Sequence, residues 1–140
     1  MRISYNFSVA LQILMLSKHY SDQKITSNFL SHKIGTDPVI IRNVMSALKE
    51  KKYIDSKPGP SGLTLLADLN EIPLYNLYTA VTEEDGNILK FYTPGKDSTD
   101  FENKLIKTTN DCFNDYISSY YNELKAHTVG DIYDKCISGS

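Results

Sequence analysis

Residues 37–52 carry a run of side chains whose types and spacing could read base pairs. Ile41, Val44, Met45 and Leu48 recur at the spacing of one helix face. The other face presents Val39, Arg42, Asn43, Ser46 and Lys49. Arginine pairs bidentately with guanine and asparagine with adenine in the major groove. Val39, Arg42 and Asn43 are therefore expected near base edges, and Ser46 and Lys49 at phosphates. A second group lies in Lys57-Pro58-Gly59-Pro60-Ser61-Gly62. Its backbone N–H groups, small residues and single lysine suit phosphate or minor-groove contact, with Lys57, Gly59, Ser61 and Gly62 as candidates. Arg2, Ser4 and Tyr5 at the N-terminus and Thr26 and Ser27 at a helix start complete the set. The same residues also fit a solvated face and an ordinary turn, and the pattern by itself leaves that reading open.

These groups need a scaffold of helices and one hairpin. Val9, Ala10, Ile13, Leu14 and Leu16 predict a first helix over residues 4–18. Thr26 is suited to cap a helix covering residues 27–33, and Gly35 to end it. Asp37-Pro38 marks the next helix sharply, with Asp as N-cap and Pro at the first helical position. That helix is expected to run to about Lys52. Tyr53, Ile54 and Ser56, the Gly/Pro cluster, then Leu63, Thr64 and Leu65 read as a hairpin. Pro73–Val81 opens with proline and reads as a short helix closing this unit. Residues 82–98 form an acidic, turn-rich connector.

The longest predicted helix spans residues 99–125, with Thr99 or Asp100 as its cap. It is apolar on two sides: Phe101, Leu105, Cys112 and Tyr116 on one, and Ile106, Phe113, Ile117, Tyr120 and Leu124 on the other. Such a helix must be covered twice. In a short chain the simplest second cover is the same helix of another copy. Leu105, Cys112, Phe113, Tyr116, Ile117, Tyr120 and Leu124 are thus the expected dimer face. Thr128-Val-Gly-Asp131 resembles a capping start for a last helix through Cys136. The expected organisation is residues 1–81, a winged helix-turn-helix, then residues 82–98, a connector, then residues 99–137, the dimerisation helix and a short final helix. The fold class is mainly α with a small β-hairpin.

Charge is divided along the chain. The formal net charge of −2 argues at first against a polyanion partner. Yet residues 1–65 hold nine Lys/Arg against four Asp/Glu, while the remainder holds six against thirteen. A basic half beside an acidic half points to one part that contacts a polyanion and one that does not. No apolar run is long enough to span a bilayer, and the N-terminus does not read as a signal peptide. Two cysteines make no disulfide framework. A cytoplasmic protein with no membrane partner is expected. No nucleophile–base pairing, phosphate-binding glycine loop or HExxH motif stands out, so no catalytic residue is expected. Cys112, His127 and Cys136 fit no zinc spacing, and no metal is expected.

The opening MRISYNFSVALQILMLS, the pair ITSNFLSHKIGTDPVIIRNVMSALKEKKYIDS, the PGPSGLTLL wing, IPLYNLYTAV and TVGDIYD together resemble the Rrf-type (Rrf-two) bacterial transcription regulators, the IscR- and NsrR-like family. The resemblance covers most of the chain. It implies a homodimer joined by the long helix, binding double-stranded DNA at an imperfect palindrome, usually as a repressor. The departures matter as much. Cluster-binding members carry three close cysteines in the connector; here it contains none. Ser8 stands where some members place an acidic fourth ligand. An iron–sulfur cluster needs several thiolates, so a cluster-free branch with no cofactor is expected. Ser61-Gly62 replaces the family's double glycine in the wing. A winged-helix dimer acting only as a protein–protein adaptor is the alternative, as is a regulator that senses redox state through Cys112. No residue identifies a small-molecule effector.

Overall fold

The computed structural model describes residues 5–57, 62–83 and 89–139. Among these residues six helices and one hairpin follow in the order α1 (Tyr5–His19), α2 (Ser27–Ile34), α3 (Pro38–Glu50), β1 (Ile54–Ser56), β2 (Leu63–Leu65), α4 (Leu74–Val81), α5 (Asp100–Ala126) and α6 (Val129–Ser138), with a 3-10 turn at Leu69–Glu71 before α4. The fold is mainly α with a two-stranded antiparallel sheet, as the patterning predicts. The hairpin register pairs Ile54 with Leu65 and Ser56 with Leu63.

α1 is the centre of the packing, touching α2, α3, α4, α6 and β2. Its Val9, Ala10, Ile13 and Leu14 are buried against Leu30 of α2, Ile41, Val44 and Leu48 of α3, and Leu77 and Tyr78 of α4. Fully burying a side chain of this kind stabilises the fold by roughly 1.5–3 kcal/mol. The stripe Ile41, Val44, Leu48 therefore fixes which way α3 turns its other face. Ile54 and Leu63 carry the hairpin into the same core.

The chain differs from the sequence expectation in three places. α3 stops at Glu50, because Lys51 closes it and Lys52 turns back in a left-handed conformation, φ 61°. Tyr53 consequently lies outside β1, and its carbonyl accepts the N–H groups of Leu66 and Ala67. The 3-10 turn has no counterpart in the sequence reading. It is capped by Asp68, whose Oδ1 accepts from Asn70 N at 2.9 Å.

α5 is 27 residues long, about 40 Å at 1.5 Å per residue. It packs on α4 through its C-terminal end. There Tyr121 meets the rings of Tyr75 and Tyr78 at 5.2 and 5.8 Å, and Leu124 enters the core. The joint to α6 is zipped onto the segment before α4. Leu74 N donates to His127 O at 2.9 Å, and Val129 N to Ile72 O at 3.0 Å. Thr128 and Asp131 form the capping box of α6. The described connector residues form no regular element.

Candidate nucleic-acid interface

The turn between α2 and α3 is set by local chemistry. Thr26 Oγ1 accepts from Phe29 N at 3.0 Å and opens α2. Gly35, at φ +86°, ends it with its N–H on Ser31 O; that left-handed angle is cheap only without a Cβ. Two residues later Asp37 Oδ1 accepts from Val39 N at 2.7 Å and opens α3, with Pro38 at the first helical position. The result is a tight helix-turn-helix.

The wing is held by a feature that patterning did not reveal. Leu63 N donates to Ile25 O at 2.8 Å, and Ile25 and Leu63 form an antiparallel bridge. The wing's second strand is thus tied to the residue just before the N-cap of α2. Gly62, at φ +75°, lies so close that a Cβ there would stand 2.8 Å from Ile25 O.

A cleft of about 350 Å³ opens between the N-terminus of α2, one side of α3 and the wing. Thr26, Ser27, Arg42, Ser46, Lys49, Lys57 and Gly62 of the expected set line it together, joined by Ile25, Met45 and Ser56. Among the described residues that line it, three are cations and none is a carboxylate. Lys49 Nζ donates to Ser56 O at 2.8 Å, so this lysine also ties α3 to β1. Ser46 Oγ donates back to Arg42 O at 3.1 Å. A basic cleft floored by helix N-terminal and wing backbone is suited to a phosphate chain.

The structure separates the other candidates. Val39 is exposed in the first turn of α3. Asn43, expected beside Arg42, is exposed and borders a second hollow with Asn6, Ala47 and Thr79 rather than the cleft; one residue along a helix is a turn of about 100°. Tyr5 is exposed and shares another hollow with Gly35 and Ile40. Arg2, Ser4, Gly59 and Ser61 lie outside the described residues. Ile25, Met45 and Ser56 line the cleft although the sequence pattern does not place them there. Ile25 carries a signal, a β-branched residue just ahead of an N-cap, whereas nothing local marks the other two.

On α5, Leu105, Tyr116 and Tyr120 are exposed, and Cys112, Phe113 and Ile117 are half-buried. Leu124 is a correction. Expected on the dimer face, it is buried in the chain's own core because the last turns of α5 lie on α4. Thr99 and Glu102 complete a capping box at the other end of α5. The Thr99 hydroxyl, and after it the Thr99 N–H, hold the Glu102 carboxyl below the usual carboxylate range.

The two cysteines stand apart, Cys112 midway along α5 and Cys136 exposed on α6. Two thiols on separate helices do not supply the clustered thiolates of an iron–sulfur site. Among the described residues no three His, Cys, Asp or Glu side chains gather to hold a metal ion. Among them, too, no helix is long and apolar enough to cross a membrane.

Comparison with known proteins follows the same lines. The family model described as Rrf2, iron-dependent transcriptional regulator, matches residues 3–135. The chain is 25% identical over 127 residues to YwnA of Bacillus subtilis, named as an HTH-type transcriptional regulator, covering 91% of this chain and 95% of that one. Among solved structures it resembles a transcriptional regulator from Lactobacillus plantarum, with a TM-score of 0.81 at 22% identity over 94% of this chain and 89% of that one. It also resembles IscR of T. potens, with a TM-score of 0.69 at 14% identity over 97% and 88% of the two chains. The family match spans nearly the whole chain, and the chain belongs to the Rrf2 family of transcriptional regulators.

Proposed function

We propose that this transcriptional regulator works as a homodimer that binds a palindromic operator in double-stranded DNA and represses from it, in the cytoplasm and without an iron–sulfur cluster. The observation that carries the reading is the cleft in which the start of α2, the side of α3 and the wing bring Arg42, Lys49 and Lys57 together. α3 supplies the helix for the major groove, and the wing and α2 hold the backbone beside it. The exposed apolar side chains of α5 supply the reason for a dimer. Phe101, Leu105, Tyr116 and Tyr120 stand exposed along α5, and a matching helix from a second copy would cover them. Two α3 helices related by that symmetry would meet half-sites about 34–36 Å apart, or a multiple of it. A dimer seated over a promoter blocks transcription by occupancy. The absence of a cluster rests on the donor set, two separated thiols per chain.

The test is a fluorescence-anisotropy titration of a promoter fragment across salt. Three cleft cations per protomer make six per dimer, and each neutralised phosphate contributes about −0.9 to the log–log slope. A slope of about −5 is expected, close to a thousandfold loss of affinity between roughly 50 and 200 mM salt. Weak binding that ignores salt would refute the reading and leave a protein-binding adaptor.

A further inference from the structure

The proposed DNA reading leaves open which base the first turn of α3 meets. The buried residues Ile41, Val44 and Leu48 define one side of that helix. At about 100° per residue, the line opposite runs through Val39, Asn43, Ser46 and Glu50, all of them exposed. Asn43, Ser46 and Glu50 are polar, as a solvated face requires. Val39 is a bare hydrocarbon, 53% exposed.

Its neighbours do not account for it. The Asp37 carboxylate fixes the first turn through the Val39 N–H, not through the side chain. A β-branched residue lowers helix propensity slightly, so valine is a poor choice for a face that only meets water. Ile40, the other exposed apolar residue of the turn, lies about 100° further round, in the hollow with Tyr5. Val39 alone points straight away from the core at the end of the helix that reaches the groove floor first. It has no donor and no acceptor there. The one feature of a major groove that such a side chain recognises is the C5-methyl group of thymine.

We propose that Val39 reads a thymine methyl in each half-site and so is a specificity-determining residue. The inference rests on the DNA-binding reading above, and the experiment separates the two. Once footprinting has located an operator, each thymine is replaced in turn by deoxyuridine, which removes the methyl and nothing else. At one position per half-site, uracil should weaken binding about fourfold, the value of one buried methyl-sized group. Replacing both symmetry-related thymines should weaken it on the order of fifteenfold. Val39→Ala should keep its helical circular dichroism and bind thymine and uracil operators alike, and Val39→Thr, which retains one methyl, should restore part of the discrimination. Uracil tolerated at every position, or a Val39→Ala protein that discriminates as well as the parent, would overturn the proposal. Failure to bind any fragment is a different result, and it would remove the DNA-binding reading itself.

Discussion

Gly62→Ala is the most exacting perturbation of the wing. Two costs add at this position. At φ +75° any residue with a Cβ pays about 1–2 kcal/mol for the left-handed conformation. The new Cβ would also stand 2.8 Å from Ile25 O, 3.2 Å from its N and 3.3 Å from its C. These are backbone atoms, so no rotamer change relieves the contact. Ile25 O cannot retreat freely either, because it accepts the Leu63 N–H at 2.8 Å, and losing that bond costs about 1 kcal/mol. The total is about 2–3 kcal/mol. Gly35→Ala is the internal control: its φ is +86°, but nothing lies within 4 Å of its Cβ position. It should show the conformational cost alone, about 1 kcal/mol. In urea, with a slope of about 2 kcal/mol per molar, Gly62→Ala should lower the midpoint by more than about 1 M and Gly35→Ala by about half that. Equal midpoint shifts would refute the close approach of the wing to Ile25.

Two further outcomes follow from α5. Ile117→Asp should give a folded protein that sediments as a monomer at micromolar concentration, whereas Leu124→Asp should lose several kcal/mol of stability by placing a charge in the core. Sedimentation velocity with thermal melting separates them, and a monomeric, fully stable Leu124→Asp would contradict its burial. The Glu102 carboxyl, held down first by the Thr99 hydroxyl, should titrate by NMR below its ordinary 4.5, and Thr99→Ala should bring it back up. Because the folded value is depressed, the contribution of this cap to folding is complete above about 4.5. It fades as the pH falls through the lower folded value, and a Glu102 that titrates at 4.5 or above would contradict the cap.

Much of this molecule could be read from neighbouring residues because the signals act over a few positions. Thr26, Gly35, Asp37, Thr99 and Thr128 each cap or end a helix where the sequence places them. A capping hydroxyl or carboxylate finds its N–H two or three residues away whatever the rest of the chain does. Periodicity likewise chose the buried side of α3, since Ile41, Val44 and Leu48 can share one face only in one helical register. The end of α3 was less legible, because Lys52 takes a left-handed angle that its side chain does not advertise.

The sequence by itself determined where helices begin, which stripe of each is apolar, and that the basic residues cluster in the first half. Tertiary structure decided what each stripe meets. It put Leu124 in the core because α4 lies under the last turns of α5. It gave Arg42 a place in the cleft beside the wing and Asn43 a place in the hollow beside the ends of α1 and α4. It made Gly62 costly to replace by bringing the wing against Ile25, 37 positions earlier in the chain. Caps and periods are short-range and written in adjacent residues, but contacts between distant segments depend on where the shared core places them.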